Sequence, residues 1–406
     1  MVLIFMGWIN IYSATATEEV FPLLNFDTEY GKQLIWIALS LPLIIIILMF
    51  DSKFYERYAS LLYLTSMLSL LLLFPFGKNI NGATSWYNIA GVFSLQPSEF
   101  AKAATALAIA KLVSDKSFNL KNLNTQIQSF TILLIPAILI TLQPDPGSAL
   151  VYTAFIFVLY REGLPFYYIT LGFISIALFL ATLYFGSNYV LYTVAGICVV
   201  ILIYLSVKRA KAFKRNWLKI LGIFVLISTY IFSVNYVFNE VFQQRHRDRF
   251  NIVLGKSDDV KNIGYNSDQA MSTIASGGLA GKGFLQGERT QGAFVPEQQT
   301  DYIFTVVGEE WGFLGSAAVV LMFTLFCLRI LFIAERQKSK FSRVYGYSIA
   351  TIFFTHFAVN IGMVIGILPT IGIPLPFFSY GGSGLWGFTV LIFIFLKLDA
   401  DRTYEW

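Results

Sequence analysis

Charged residues are scarce in this chain of 406 residues. Asp, Glu, Lys and Arg make up only 13% of it, whereas hydrophobic residues make up 56%. Soluble globular proteins carry roughly 25% charged residues, so this chain has too few to cover a water-facing surface. Its long apolar runs lack the alternating pattern of a membrane β-barrel. The composition therefore predicts an all-α polytopic membrane protein.

Cysteine and histidine are scarce as well. Cys198 and Cys327 both lie in apolar runs, so we interpret them as small core residues and expect no disulfide framework. His246 and His356 are far apart in the sequence and indicate no metal cluster. The net charge of +5 is small, and we expect no nucleic-acid partner.

Apolar runs separated by short polar segments predict about twelve transmembrane helices, each close to the length that a bilayer requires. The tenth is predicted to run without interruption over residues 302–333. The longest polar segment, residues 239–301, precedes it and is predicted to form a large extracytoplasmic loop. We expect residues 1–406 to form a single membrane domain that contains this loop.

The basic residues predict the orientation of the chain, because Lys and Arg collect in cytoplasmic loops. Five basic loops fall on one side by parity: 53–57, 111–121, 161, 208–219 and 336–343. The acidic first loop and four polar segments fall on the other: 17–32, 81–86, 143–147, 239–300 and 369–384. Both termini are therefore predicted to be cytoplasmic, and the motif-bearing loops are predicted to share the extracytoplasmic face.

The most informative stretch runs from Gln291 to Gly312, where the long polar segment meets an apolar helix. Asp301 lies at this junction between water and hydrocarbon. A carboxylate in such a place can act as a general base towards a hydroxyl group. Thr300 and Asp301 are also residue types that cap helices well, so both interpretations stay open.

Glu99 and Lys102 form a second candidate site. They follow Pro97, which suits the first turn of a helix, and their spacing of three places them on one helix face. Ionisable residues at membrane depth are functional candidates by default. The alternative is a structural ion pair that positions the helix.

Three further polar features are candidates. Residues 143–147 predict a sharp turn in which Asp145 caps the next helix, with a weaker indication that it coordinates a cation. Glycines within residues 277–283 would allow close approach to a ligand, with Lys282 facing a pyrophosphate, or they form a flexible surface loop. Arg245 and Arg249 lie in a basic run predicted on the outer face, which indicates an anionic ligand at the outer leaflet or, alternatively, a solvated helix end or a contact with lipid headgroups.

Residues 369–384 are uncharged and rich in glycine and proline. Non-helical backbone at membrane depth is tolerated only where protein or a water-filled cavity surrounds it. We therefore interpret this segment as the wall of a cavity.

Five motifs, taken in order, resemble those of the SEDS family, the shape, elongation, division and sporulation proteins. They lie at residues 96–102, 143–145, 276–283, 296–310 and 360–382, so the resemblance covers nearly the whole chain. It implies a peptidoglycan glycosyltransferase that polymerises lipid II at the outer face of the bacterial cytoplasmic membrane. Family members usually have about ten spans, so an additional helix pair is expected within residues 166–238.

The resemblance also implies roles for individual residues. Asp301 matches the family's essential acidic residue, and Glu99 and Lys102 match its polar pair on the fourth helix. Gln299 stands where many relatives have histidine, so no histidine partner for Asp301 is expected. The residues expected to bind substrate are Glu99, Lys102, Lys282, Arg245, Arg249, Gln291 and Ser379.

In the reaction that this family catalyses a pyrophosphate would leave, and its charge needs stabilisation by a divalent cation, Mg²⁺ or Mn²⁺, or by basic side chains such as Lys102, Lys282 or residues 245–249. Asp301 and Asp145 are the candidate ligands of the cation. The resemblance implies a class B penicillin-binding protein as the transpeptidase partner, and lipid II and an undecaprenyl-linked glycan as ligands among the membrane lipids. Two other functions fit the same composition. One is a lipid II flippase, and the other is a non-catalytic scaffold that activates a penicillin-binding protein.

Overall fold

The structure, a computed structural model, describes residues 1–15, 25–80, 82–89, 93–208, 210–242, 244–256 and 265–402. The chain divides into two compact units. We call Met1–Pro165 with Asn266–Trp406 the main unit, and Phe166–Tyr265 the inserted unit.

Helices make up most of both units. In chain order they are α1 (Val2–Thr15), α2 (Glu29–Met49), α3 (Ser52–Phe76), α4 (Pro97–Ser114), α5 (Leu123–Leu142), α6 (Pro146–Leu150), α7 (Phe155–Arg161), α8 (Tyr167–Phe185), α9 (Ser187–Lys208), α10 (Ala210–Tyr236), α11 (Gln244–Val253), α12 (Tyr265–Ser276), α13 (Glu288–Gln291), α14 (Ile303–Glu310), α15 (Gly312–Glu335), α16 (Lys340–Val364) and α17 (Gly382–Asp401). A 3₁₀ turn, Val151–Ala154, joins α6 to α7, and a π-helical turn, Val237–Val241, follows α10.

Among the described residues, nine helical segments are long and apolar enough to cross a membrane. They are α2, α3, α5, α8, α9, α10 with its π-helical turn, α15, α16 and α17. The remaining predicted spans correspond to the shorter α1, to α4 and to the interrupted α6–α7 segment. The predicted class, an all-α polytopic membrane protein, is confirmed, while the count of twelve stays a prediction.

Helix α4 lies in the interior of the main unit. Six of its positions are alanine, and small residues let neighbouring helices approach closely. Helices α3, α16 and α17 pack against it, and Pro97 takes the first helical position as predicted. The polar pair on α4 is therefore enclosed by other helices.

Several of the polar segments predicted to lie outside the membrane meet at one end of the main unit. Three strands around the predicted polar segment 81–86 form an antiparallel sheet: β1 (Lys78–Ile80), β2 (Ala83–Ile89) and β3 (Phe93–Leu95). The N–H of Thr84 donates to the carbonyl oxygen of Gln143 at 3.3 Å. The Ser383 hydroxyl donates to the carbonyl oxygen of Ser94 at 2.9 Å.

The basic loops of the main unit meet at the other end of α4. Lys111 donates to the carbonyl oxygen of Arg57 at 2.9 Å, and Arg161 forms an ion pair with Glu335. The two groups of loops that charge and parity separate are thus also separate in space. This arrangement agrees with the predicted topology.

The segment between α16 and α17, residues 369–380, is irregular and anchored in the apolar core. Phe378 belongs to the same buried cluster as Ile11 of α1, Val306 of α14, Phe323 of α15 and Met363 of α16. The predicted non-helical backbone is thus observed and packs against protein, while its role as the wall of a cavity stays a prediction. We refer to it below as the 369–380 segment.

The inserted unit contains α8, α9, α10 and α11. Leu183, Val234 and Phe238 form a small core with Phe250 packed against it, while most other apolar side chains of these helices are exposed. Apolar helix surfaces of this kind suit a lipid environment. The additional helices predicted within residues 166–238 fall in this unit.

The predicted tenth helix is not continuous. Helix α14 ends at Glu310 and α15 begins at Gly312, whose φ of +65° lies in the left-handed region that favours glycine. Glu309, Glu310 and Gly312 interrupt the apolar pattern at this point, and the prediction joined the apolar runs on either side across them.

Residues 277–283 fill the break between α14 and α15. The N–H of Gly283 donates to the carbonyl oxygen of Glu310 at 3.0 Å, and the N–H of Phe313 donates to that of Gly278 at 2.9 Å. Helix ends leave such groups without intrahelical partners, so this segment satisfies both ends. These glycines approach the chain's own backbone, where the sequence indicated close approach to a ligand.

Gly281 and Gly278 provide a matched test of this packing. A β-carbon at Gly281, where φ is +82°, would lie 2.1 Å from the carbonyl oxygen of Glu310, whereas at Gly278, where φ is +57°, nothing lies within 4 Å. Both alanine variants bear the left-handed cost of roughly 1 kcal/mol, but only Gly281→Ala must also displace backbone. We expect Gly281→Ala to be the less stable by about 2 kcal/mol or more in unfolding experiments in detergent. Equal stabilities would show that the segment does not pack in the break.

Candidate active site

Asp301 lies at the end of the main unit where the polar segments meet. It is half-buried, and its carbonyl oxygen accepts a hydrogen bond from Asn360 Nδ2 at 2.8 Å. A β-carbon on Gly372 would lie 3.3 Å from Asp301 Oδ2, so the carboxylate lies against the 369–380 segment. Tyr302 takes the N-cap position of α14 and makes no side-chain cap hydrogen bond.

The turn that contains Asp145 packs on the same part of the 369–380 segment. A β-carbon on Gly147 would lie 3.0 Å from the carbonyl oxygen of Gly372. Asp145 Oδ1 accepts from the N–H of Ser148 at 3.0 Å, which confirms its predicted capping role. Asp145 Oδ2 accepts from Gln96 Nε2 at 3.0 Å. The motifs around Gln96, Asp145 and Asp301 therefore lie together.

The polar pair of α4 is fully enclosed. Lys102 is 0% exposed and Glu99 is 2% exposed. Lys102 Nζ donates to both carboxylate oxygens of Glu99 at 2.8 Å, and it lies 2.9 Å from His356 Nε2. His356 Nδ1 lies 3.2 Å from the carbonyl oxygen of Pro374. When Nδ1–H donates to that carbonyl, Nε2 of the neutral imidazole accepts from the ammonium, so all three donors of Lys102 have acceptors.

Apolar groups cover this cluster of three ionisable side chains. The ring of Phe388 lies 5.2 Å from Lys102 Nζ and edge-on to His356. A β-carbon on Gly387 would lie 2.8 Å from the β-carbon of Glu99. The geometry supports the interpretation of Glu99 and Lys102 as an ion pair that positions the helix, and direct contact with substrate stays a prediction.

Sequence patterns did not single out His356 and Asn360 as site residues. Their spacing of four on α16 was an available signal, because it places both on one face of an apolar helix. Their partners, the carbonyl oxygens of Pro374 and Ile373, are distant in sequence and could not be read from it.

Lys282 is bound to a buried carboxylate. Its Nζ lies 2.9 Å from Oε1 of Glu309, which is 0% exposed. Glu309 Oε2 also accepts from the N–H and the hydroxyl of Thr290, both at 2.7 Å. This network ties residues 277–283 and α13 to the end of α14. Lys282 remains 25% exposed, and its contact with a pyrophosphate stays a prediction.

The pKa values of Glu309 and Glu310 are shifted in opposite directions. Burial acts to raise the pKa of Glu309, but hydrogen bonds from Lys282, Thr290 and the backbone outweigh it, and the net pKa is lowered. Burial raises the pKa of Glu310 to about 7, against the opposing hydrogen bond from Ser13. Both residues lie outside the nine candidate spans.

Gln291 and Ser379 make contacts within the protein. Gln291 Nε2 donates to the carbonyl oxygen of Ser13 at 3.1 Å, which ties α13 to α1. Ser379 Oγ accepts from the N–H of Leu375 at 2.8 Å and closes a turn within the 369–380 segment. Ser379 thus stabilises the segment on which the Asp301 carboxylate lies, and contact of Gln291 and Ser379 with substrate stays a prediction.

The two arginine candidates belong to the inserted unit. Arg249 lies on α11 and is half-buried. The side chain of Arg245 lies outside the described part of the structure, as do Asn81 and the acidic residues Glu18 and Glu19. Gln299 donates from Nε2 to Glu29 Oε1 at 3.2 Å.

The predicted cation ligands, Asp301 and Asp145, stay a prediction. Within the described residues, no group of three or more His, Cys, Asp or Glu side chains is placed to hold a metal ion. Asp145, one of the two candidate ligands, already uses both carboxylate oxygens in hydrogen bonds. We therefore assign no step of a reaction to a metal.

The chain matches the family of cell cycle proteins comprising FtsW, RodA and SpoVE over residues 1–193 and 174–404. It belongs to this family. It is 29% identical to the peptidoglycan glycosyltransferase RodA of Treponema pallidum, over 98% of this chain and 95% of that protein. It is 31% identical to the peptidoglycan glycosyltransferase MrdB of Escherichia coli K12, over 86% of this chain and 80% of that protein.

A solved structure shares the fold. It is a chain of a peptidoglycan synthase complex, which superposes with a TM-score of 0.71 at 24% identity over 100% of this chain and 96% of that one. The expected resemblance to the SEDS proteins is thus confirmed at the level of family and fold. As a member of the FtsW/RodA/SpoVE family, the chain is a multi-pass membrane protein.

Removing one partner of the buried pair on α4 leaves an uncompensated charge. We expect Glu99→Gln or Lys102→Met alone to lower the free energy of unfolding by about 3–5 kcal/mol, and the double variant to recover much of that loss. Lys397→Met, which breaks a partly exposed i,i+4 pair on α17, should cost less than about 1 kcal/mol. Unfolding in detergent measures all four variants. Additive losses in the double variant would show that Glu99 and Lys102 do not depend on one another.

The raised pKa of Glu310 predicts a pH dependence of stability. Between the ordinary value of 4.5 and about 7, this carboxyl is protonated in the folded state and ionised in the unfolded state. Stability from this group is therefore complete below pH 4.5 and is lost as pH rises through about 7. The free energy of unfolding of Glu310→Gln, relative to that of the wild type, should therefore increase by up to about 3 kcal/mol between pH 5 and pH 8.

Glu309→Gln is the matched variant and should behave in the opposite sense. Because the pKa of Glu309 is lowered, its contribution is present above its ordinary range and is lost as pH falls. The Glu309→Gln variant should therefore approach the wild-type stability in acid and fall furthest behind it at pH 8. Glu310→Gln should diverge from the wild type between pH 4.5 and about 7, whereas Glu309→Gln should converge with it only as pH falls below 4.5. A melting temperature that runs parallel to that of the wild type within the respective pH window would contradict that assignment.

Proposed function

We propose that this protein is a peptidoglycan glycosyltransferase that polymerises lipid II into glycan strands at the outer face of the bacterial cytoplasmic membrane. The observation that carries the proposal is the position of Asp301. Its half-buried carboxylate lies at the polar end of the main unit, against the 369–380 segment, in a chain of the FtsW/RodA/SpoVE family. The names of the relatives support the same activity.

The proposed reaction inverts the anomeric centre of the donor. Asp301 accepts the proton of the GlcNAc 4-hydroxyl of one lipid II molecule as its oxygen attacks the MurNAc anomeric carbon of the lipid-linked glycan. The bond from that carbon to the pyrophosphate oxygen breaks, and undecaprenyl pyrophosphate leaves with the electron pair. A general base of this kind typically contributes 10²–10⁴-fold to the rate.

The leaving pyrophosphate needs positive charge nearby. Lys282 retains exposed surface and is the candidate for direct contact in the main unit. Lys102 has no exposed surface, so we propose that it acts by fixing α16 and α4. A divalent cation, Mg²⁺ or Mn²⁺, would accompany the pyrophosphate, as in sites where one or two carboxylates and substrate phosphates share Mg²⁺.

The outer face and the partner are part of the proposal. The separation of polar and basic loops to the two ends of the main unit supports an extracytoplasmic site. A class B penicillin-binding protein would supply the transpeptidase, in keeping with the fold shared with a chain of a peptidoglycan synthase complex. The apolar helices would hold the prenyl chain while the polar end holds the sugars.

The test is glycan synthesis by purified protein. Wild type, Asp301→Asn and Asp27→Asn are incubated with lipid II and Mg²⁺ or Mn²⁺, with and without a partner whose transpeptidase is inactivated. Asp27 is an exposed carboxylate near the start of α2, so its variant controls for loss of a charge. We expect Asp301→Asn to lose about 10²–10⁴-fold in rate and Asp27→Asn to match the wild type.

The outcomes separate the alternatives. A flippase or a non-catalytic scaffold would produce no glycan from the wild type under either condition. Wild-type rates from Asp301→Asn would exclude the general-base role of this residue.

A further inference from the structure

Asn360 joins the main chain of Asp301 to the segment on which its carboxylate lies. The side chain is 0% exposed, and Nδ2 donates to the carbonyl oxygen of Asp301 at 2.8 Å and to that of Ile373 at 2.7 Å. The opposite amide orientation would place its oxygen against two carbonyl oxygens, so the neighbours determine which atom is the nitrogen. The NH₂ group of one side chain therefore joins two backbone segments, at Asp301 and at Ile373.

This bridge is close to the carboxylate. Gly372 directly precedes Ile373, and a β-carbon on Gly372 would lie 3.3 Å from Asp301 Oδ2. Asn360 thus holds Asp301 by its main-chain carbonyl, and the carboxylate of Asp301 lies beside the 369–380 segment, to which Asn360 also binds. A shift of the Asp301 main chain or of the 369–380 segment would therefore move the carboxylate relative to the backbone that it faces.

The 369–380 segment is itself held from α16 at two consecutive carbonyls. Asn360 binds the carbonyl of Ile373, and His356, one turn earlier, lies 3.2 Å from that of Pro374. His356 is in turn fixed by Lys102. The two contacts leave the segment little freedom to slide along α16, so Asn360 bridges Asp301 to a backbone that is already fixed.

We propose that Asn360 is a positioning residue for the glycosyl transfer reaction, which acts by fixing the main chain of Asp301 so that its carboxylate meets the acceptor hydroxyl. This inference rests on the proposed function. The role requires two N–H donors on a short arm. Aspartate offers none, serine offers one, and glutamine offers two on an arm one methylene longer.

The proposal predicts a change in turnover with little change in substrate binding. We expect Asn360→Asp to lower kcat for lipid II polymerisation by about 10–100-fold, the usual effect of misplacing a catalytic group by about 1 Å, with KM within about threefold. Asn360→Gln, which keeps both donors, should regain part of the lost kcat. A role confined to stability would lower the amount of folded protein without separating these two variants in kcat per folded molecule.

Asn10→Asp is the matched control. Asn10 is also a buried asparagine, 1% exposed, but its Nδ2 donates to the carbonyl oxygen of Met6 within its own helix. The variant introduces the same buried carboxyl without touching Asp301, and it should keep the wild-type kcat per folded molecule. If Asn360→Asp is not recovered folded, Asn360→Ser provides the same comparison with one donor removed.

Asp301→Asn, assayed in parallel, separates this inference from the proposed function. Wild-type kcat in folded Asn360→Asp or Asn360→Ser, with Asp301→Asn inactive, would overturn the positioning role alone. Wild-type activity of Asp301→Asn would overturn the general-base role and the positioning role with it. A fall in kcat for Asn360→Asp that Asn10→Asp does not share, with partial rescue by glutamine, would support the inference.

Discussion

The main unit depends on how it accommodates one buried ammonium. Lys102 has no exposed surface, and an unpaired charge in such a place costs several kcal/mol. Its three donors are satisfied by both carboxylate oxygens of Glu99 and by Nε2 of His356. Because His356 also contacts the carbonyl of Pro374, the contacts that satisfy the Lys102 ammonium connect α4, α16 and the 369–380 segment.

Ionisable groups of the main unit are fully buried in its interior and partly exposed at its polar end. The pair on α4 is closed and serves as an internal brace, while Asp301 is half-buried at the edge of the same scaffold. Reactive groups are held best when rigid elements and a second layer of hydrogen bonds fix them. Asn360 and the 369–380 segment form that second layer beside Asp301.

Much of this arrangement was predictable from local patterns. Scarce charge and the distribution of Lys and Arg predicted the membrane class and the separation of the loops, and the Asp-Pro pair predicted the Asp145 cap. The break before Gly312 had a signal in the sequence, because Glu309, Glu310 and Gly312 interrupt the apolar pattern there, but only the structure shows the positive φ at which the helix breaks. The roles of His356 and Asn360 depend on carbonyl groups of the 369–380 segment, which has no regular periodicity, so the sequence offered only their shared helix face.

The central claim is that the end of the main unit bearing Asp301 faces the outside of the cell, where the proposed substrate presents its sugars. Single cysteines in a background lacking Cys198 and Cys327 test it with a membrane-impermeant maleimide. Glu288, whose side chain is 87% exposed, lies on α13 before Asp301, and Lys116 is exposed at the other end of α4. We predict that Glu288→Cys is labelled in intact cells and Lys116→Cys only after permeabilisation. The reverse pattern would place Asp301 on the cytoplasmic side and contradict the account.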